Sequence, residues 1–196
     1  MSASVEPSAV VESGARIGDG THVWDLTQVR GGAIIGDECV IGRNVYVDAD
    51  VVIGNRCKIQ NNALVYGPAR LADGVFVGPA AVLTNDLHPR AVSPDGALKG
   101  TDAWHAAGVV IEHGAAVGAG AVVISGVSIG AWALVAANST VTRNVPAHAL
   151  VAGSPARQLA WVGRTGWRLE PAGGPRFTCP DTDATYVEHD GMLTED

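Results

Sequence analysis

The chain has 196 residues, one domain's worth with a short appendage, and 47% of them are apolar while only 5% are aromatic and 17% charged. Its 25 glycines argue against a helical bundle, because each would cost about 1 kcal/mol in a helix interior. A formal charge of −7 argues against a general nucleic-acid binder, and no apolar run approaches the roughly 18 residues that span a bilayer.

The opening Met1-Ser-Ala-Ser-Val-Glu-Pro7 has neither a basic region nor an apolar stretch, so the chain reads as soluble and cytoplasmic, with no membrane partner. From Val5 an aliphatic residue then returns every sixth position, through Val11, Ile17 and Val23, as far as Leu83. All fourteen positions are Val, Ile or Leu, and the pattern resumes at Ile111 and runs to Val141. Four residues after each aliphatic comes a small or modest side chain (Ala9, Ala15, Thr21, then Cys39, Cys57 and Ala63). Three residues after it, Gly, Asn or Asp recurs: Gly20, Gly32, Asn44, Asp50, Asn62, Gly74, Asp86, Gly114, Gly120, Gly126, Asn138 and Asn144. These types tolerate positive φ and mark tight corners.

A short strand and one corner every six residues describe a coil of three faces, eighteen residues to the turn, with strands stacked in parallel. A helix does not fit, since six is not a multiple of its period. The spacing predicts an all-β prism over 1–146, six to seven coils and about 30 Å tall. Spacing does not give the hand; the general rule for parallel crossovers is right-handed. Cys39 and Cys57 lie eighteen apart, hence one above the other, and read as buried thiols rather than a disulfide.

Between Leu83 and Ile111 the phase breaks. Thr84 to Arg90 leads into Ala91–Ala107, which holds Pro94, Gly96, Gly100 and Trp104, and an ejected loop is predicted at about 88–108. It gathers Asn85, Asp86, His88, Arg90 and His105. After Pro146 the coil closes, and 147–176 is expected to cap the open end, with a short helix from Gln158 and with Trp161 and Trp167 as packing residues. Residues 177–196, with Cys179 and Tyr186, form a peripheral acidic tail. Charge is split between residues 143–176 and the tail. Arg143, Arg157, Arg164, Arg168 and Arg176 face only Glu170, while the tail has six acids and no lysine or arginine. The arginines are either solvated or a local anion site.

With these residues in view, the chain resembles the hexapeptide-repeat, left-handed β-helix acyltransferases, and among them the nucleotide-sugar 3-amino N-acetyltransferases. Beyond the hexads, the resemblance rests on Lys58-Ile59-Gln60-Asn61-Asn62, Gly78-Pro79, Thr84-Asn85-Asp86 with Pro89-Arg90, Ala149 to Arg157, and Thr178-Cys179-Pro180. It implies a left-handed coil, a homotrimer, and acetyl-CoA as co-substrate in a cleft between subunits. The acceptor it implies is the amino group of a nucleotide-linked sugar. Where such relatives tend to read Trp-His-x-x-His, this chain has Trp24-Asp25-Leu26-Thr27-Gln28.

Acyl transfer from a thioester to an amine needs a neutral amine, aligned reactants and donors for the developing oxyanion. His88 is the first candidate for proton acceptor, with His105 and His113 behind it. Asp86 is a candidate to orient the ammonium, and Asn85 to hold the sugar or the carbonyl through its amide. Arg143 and Arg157 suit the CoA phosphates and Ser125 the pantetheine arm. Lys58, Gln60, Asn62, Arg90 and His105 suit the nucleotide sugar, although Asn61 and Asn62 also fit as plain corner residues. No metal is expected. Three other readings share the prism: acyl transfer to another small amine or hydroxyl metabolite, a carbonic-anhydrase-like site built from His88, His105 and His113, and a solenoid without catalysis.

Overall fold

The computed structural model describes residues 2–100 and 105–196, so Trp104 and its three predecessors in the predicted loop lie outside the described residues. In the repeat, each hexad folds as two strand residues, a linking residue, a two-residue turn and a second linking residue. The first strand residue points outward and the second inward, so the six-residue period becomes three columns of buried aliphatics. In one of them Val23, Ile41, Ile59, Val77, Val117 and Val135 are fully buried. Coils are joined by backbone bonds such as Val40 N–H to the Cys57 carbonyl at 2.9 Å and Gly42 N–H to the Ile59 carbonyl at 2.7 Å.

Three parallel sheets result. The first face runs from Ser4–Val5 to Leu134–Val135 and on to Ala149–Gly153. The second runs from Val10–Val11 to Thr140–Val141, and the third from Arg16–Ile17 to Ser128–Ile129. Successive strands pair eighteen residues apart, as in Val23 with Ile41. Across the interruption the partners are forty apart, Val77 with Val117 and Leu83 with Val123, so twenty-two inserted residues leave the register intact.

The corners adopt positive φ at Gly20, Gly32, Asn44, Asp50, Asn62, Gly74, Gly114, Gly120, Gly126 and Asn138, where the sequence places permissive residues. Leu26, Glu38, Arg56, Ala80 and Trp132 take the same conformation without that permission, so the coil imposes it on them. Asp86 and Asn144 do not share it: the one opens the loop and the other ends the last coil. On the edge between the third and first faces, short polar side chains staple one coil to the next. Asp19 N–H donates to Asp37 Oδ1 at 2.8 Å, Asp37 N–H to Asn55 Oδ1 at 2.9 Å, and Asn55 N–H to Asp73 Oδ1 at 2.7 Å. The Asn55 N–H holds the Asp73 carboxyl below its ordinary range.

Cys39 and Cys57 are free, buried and stacked, with Cys57 N–H on the Cys39 sulfur at 3.4 Å. Each thiol donates to a carbonyl of the next coil, Cys39 to Gly54 and Cys57 to Ala72. The neighbouring sulfur and burial push the Cys57 thiol up.

The end of the prism differs from the expected helical cap. Ala149–Gly153 turns back as Ala156–Trp161, an antiparallel hairpin on the first face, and the described residues contain no helix. The reason is the open edge of the last coil, whose backbone groups need partners that a helix cannot supply. Trp161 is buried, but Trp167 is 58% exposed. The acidic tail is not peripheral either. Arg176–Thr178, Thr185–His189 and Met192–Glu195 form an antiparallel meander with Glu170–Pro171, and Cys179, Tyr186 and Leu193 are buried beneath it.

His148 joins the two parts. It is buried, its Nδ1 lies 3.0 Å from the Val162 carbonyl, and its ring meets Tyr186 edge-on at 5.4 Å. Burial holds its imidazole below the ordinary value of 6.5, opposed first by the bond to the Val162 carbonyl, with the nearby Arg164 lowering it further and Glu195 opposing. The neutral form is therefore the folded one, so its contribution is complete above pH 6.5 and is lost as pH falls below it. Melting temperature should fall between pH 7 and 5, and His148→Asn, which suits the positive φ of 61° at this site, should flatten that dependence.

Candidate active site

The inserted loop leaves the prism at the edge between the second and third faces, and one column of that edge collects several candidates. Gly67, Asn85, Ser125 and Arg143 hold equivalent positions in four consecutive coils, two residues past Val65, Leu83, Val123 and Val141. The loop is pinched at its root. Ala107 N–H donates to the Asn85 carbonyl at 3.1 Å, and Ser125 Oγ donates to the Ala107 carbonyl at 2.7 Å. Ser125 N–H donates to Thr84 Oγ1 at 2.9 Å. Beyond the root, Val92 pairs with Leu98 in a small hairpin, so the loop has structure of its own.

The Asn85 side chain has a fixed sense. Its Nδ2 donates to the Gly67 carbonyl at 2.7 Å, so Oδ1 is left to accept from whatever lies against this edge. Gly67 is itself held from below. Its N–H reaches Asp48 Oδ2 at 3.3 Å, and Asp48 also takes Ala49 N–H at 2.8 Å and the Tyr46 hydroxyl at 2.9 Å. Arg30 donates to the Tyr46 oxygen at 3.3 Å and pairs with Glu12 at 2.7 Å. The Gly31 N–H and Arg30 together hold the Glu12 carboxyl below its ordinary range. No side chain fits at Gly67, because a Cβ would overlap the Ala49 carbonyl oxygen.

Asp86 Oδ1 accepts His88 N–H at 2.8 Å, which sets the backbone of His88 while its imidazole stays exposed. Arg90 Nη1 donates to the Pro89 carbonyl at 2.7 Å, and Arg90 and His105 are exposed on the loop. Ser125 is 3% exposed and its hydroxyl closes the loop root, a locking role that its sequence context does not suggest.

The remaining candidates stand elsewhere. Lys58 and Gln60 lie on the first face, and Asn62 sits at the corner beyond, where its Oδ1 accepts from Asn44 Nδ2 at 2.9 Å in the manner of a corner residue. Arg157 is on the returning strand of the hairpin, level with Ala152, at that same edge between the first and second faces. Within one chain the second face therefore separates two sets: Asn85, Asp86 and Arg143 on one edge, Asn62, Gln60 and Arg157 on the other. His113 is at the third edge, edge-on to Trp132 at 5.0 Å, so the three loop and corner histidines are not gathered in one chain. Among the described residues no three His, Cys, Asp or Glu side chains converge.

The run of arginines is partly neutralised from within. Arg164 pairs with Glu195 at 2.6 Å and Arg176 with Asp196 at 3.7 Å. Arg143 and Arg157 are exposed and make no ion pair among the described residues, but they stand on different edges of the prism. Sequence reasoning had no view of Gly67 as the partner of Asn85. The available signal was Gly67-Pro68, which interrupts the corner pattern one coil below Thr84-Asn85-Asp86.

Two family models match the chain, one on each side of the insertion. Residues 14–49 match the bacterial transferase hexapeptide (six repeats), and residues 108–143 match the hexapeptide repeat of succinyl-transferase. No curated protein matches the chain. Among solved structures it is similar to PerB from Caulobacter crescentus, in complex with CoA and GDP-perosamine, at 27% identity and a TM-score of 0.48. That match covers 81% of this chain, which spans 57% of the length of PerB. It is also similar to LpxA, a UDP-N-acetylglucosamine acyltransferase from Bacteroides fragilis, at 16% identity and a TM-score of 0.65 over 81% of this chain and 61% of that one. AntD, an N-acyltransferase from Bacillus cereus solved as a mutant with dTDP and coenzyme A, gives 18% identity and a TM-score of 0.52 over 82% of each chain. The likeness to LpxA identifies the fold as a left-handed parallel β-helix.

Proposed function

We propose that this chain, which matches hexapeptide-repeat transferase models over residues 14–49 and 108–143, moves an acetyl group from acetyl-CoA to the amino group of a nucleotide-linked amino sugar. The observation that carries the reading is the sense of the Asn85 amide. With Nδ2 held by Gly67, Oδ1 accepts a hydrogen bond, which suits an N–H of the acceptor and does not suit a thioester carbonyl. An amine favours this arrangement over an alcohol. An alcohol must lose its one O–H proton as it attacks, and an amide oxygen is no base, whereas an amine can keep one N–H on Asn85 while its lone pair attacks.

The chemistry then divides among neighbours on one edge. Asp86 draws the ammonium by charge, and His88 takes its proton to leave a neutral nucleophile. Asn85 aligns that nucleophile, which converts an encounter into a positioned attack. The acetyl carbon bonds to nitrogen, the carbon–sulfur bond breaks, and the departing thiolate takes the proton that the nitrogen sheds and leaves as the thiol of CoA. Arg143 and Arg157 hold the phosphates of CoA. Lys58, Gln60, Arg90 and His105 face the nucleotide sugar. A substrate that touches both sets of residues must bridge two copies, because the second face of one prism lies between them; the assembly in this reading is a homotrimer.

Thiol release from acetyl-CoA, followed across a panel of amino-sugar nucleotides, tests the reading. Release should require both partners. His88→Ala should lower kcat about a hundredfold at neutral pH with little change in KM for acetyl-CoA, and the loss should shrink at high pH, where the amine deprotonates unaided. A panel in which no amino-sugar nucleotide releases thiol would sink the reading.

A further inference from the structure

On the first face, below the level of the loop, a cleft of about 320 Å3 is lined by Trp24, Asp25, Val40, Gly42, Arg43, Gln60 and Asn61, and the Asp25 carboxylate among them accepts from Ser8 Oγ at 2.8 Å. Trp24, Gly42 and Gln60 are equivalent positions of three successive coils, each one residue past an inward aliphatic. Trp24 and Gln60 are therefore about 9.5 Å apart, with a glycine between them. That gap is built in. A Cβ on Gly42 would sit 2.6 Å from Asn61 Oδ1, so no side chain can fill it.

Trp24 forms one wall. His22 packs on its ring with centroids 4.3 Å apart, yet 45% of Trp24 stays exposed on a chain with few aromatics. Arg43 stands at the corner with its backbone pinned on both sides, its N–H on Asn61 Oδ1 at 2.9 Å and its carbonyl accepting Asn62 N–H at 3.0 Å. Lys58 projects from the same face, one coil above Val40. Arg43 and Lys58 are exposed, and neither makes an ion pair among the described residues.

An open aromatic ring, a flat gap, an amide and two unpaired cations match the parts of a nucleotide. We infer that this cleft holds the nucleoside diphosphate of the acceptor, with the base on Trp24 across Gly42, the Gln60 amide at the base edge, and Arg43 and Lys58 on the diphosphate. The inference rests on the acyl-transfer reading and adds Trp24 and Arg43 as residues that select the substrate. CoA carries a nucleoside diphosphate too, so the test must separate the two sources.

Calorimetric titration of the full chain with UDP, dTDP, GDP and CDP, and separately with CoA, does so. At least one nucleoside diphosphate should bind. Trp24→Ala and Arg43→Ala should each weaken it about tenfold or more, while Trp24→Phe, which keeps a stacking face, retains most of the affinity. CoA affinity should stay within about twofold in all three variants, and unchanged melting temperatures establish that they are folded. Unaltered nucleotide binding in a folded Trp24→Ala variant would overturn the inference, as would a loss confined to CoA. A wild-type chain that binds CoA but no nucleoside diphosphate overturns the cleft and leaves acyl transfer standing; one that binds neither overturns both.

Discussion

Asn85→Leu is expected to lower kcat for acetyl transfer by at least about a hundredfold while the protein keeps its fold and its affinity for acetyl-CoA. Leucine shares the branching of asparagine at Cγ, though it is larger, and it leaves intact the backbone bond from Ala107 that closes the loop. What it removes is the bond from Nδ2 to the Gly67 carbonyl and, with it, the acceptor oxygen offered to the amine. The lost bond is only partly buried and costs about 1 kcal/mol of stability, too little to unfold the chain. Asn85→Asp should be nearly as damaging, because a carboxylate oxygen in place of Nδ2 meets the Gly67 carbonyl head-on. A folded Asn85→Leu variant with near-native kcat would remove Asn85 from the chemistry.

Gly67→Ala is expected to reproduce much of that loss from one coil away. Its new methyl group overlaps the Ala49 carbonyl oxygen, backbone that cannot rotate aside, so the corner must shift and carry with it the oxygen that aims Asn85. Overpacking of this kind costs about 1–3 kcal/mol, read as a lower unfolding midpoint. The stronger check is coupling. If Gly67 acts through Asn85, the double variant should be no worse in kcat than the worse single variant, and multiplied losses would mean that the two act independently.

The fold was largely legible because one physical rule generates it. An inward aliphatic every six residues, paired with a permissive corner, leaves few alternatives, and Val23, Ile41 and Ile59 stack as their spacing requires. Even the insertion could be read from where Leu83 and Ile111 lose phase. The cap was not legible in the same way. Gln158 to Trp161 carries no strong local preference, and it becomes a strand because Leu150–Val151 offers an unpaired edge, a fact about the neighbour rather than about the segment. Tyr186 and Cys179 lie in a tail that is acidic on average, so composition hid the few buried residues that hold it down.

The candidate site divides similarly. Thr84-Asn85-Asp86 and Arg143 could be picked by residue type, but their place on one edge follows only once the twenty-two inserted residues are known to preserve register. The role of Ser125 depends on the Ala107 carbonyl, and the sense of Asn85 on the Gly67 carbonyl, neither of which residue type reveals. The basic run was visible as charge, whereas its partial neutralisation by Glu195 and Asp196 needed the meander to bring the tail back.

In the proposed reaction an acetyl group ends on the nitrogen of a nucleotide-linked amino sugar. Mass and NMR analysis of the product, formed from acetyl-CoA and the best acceptor of the panel, measures this directly. The expected product has gained one acetyl group per molecule, as an amide on the amino carbon, with nothing on the hydroxyls. Acetyl found on a hydroxyl, or thiol release with an unchanged acceptor, would contradict it.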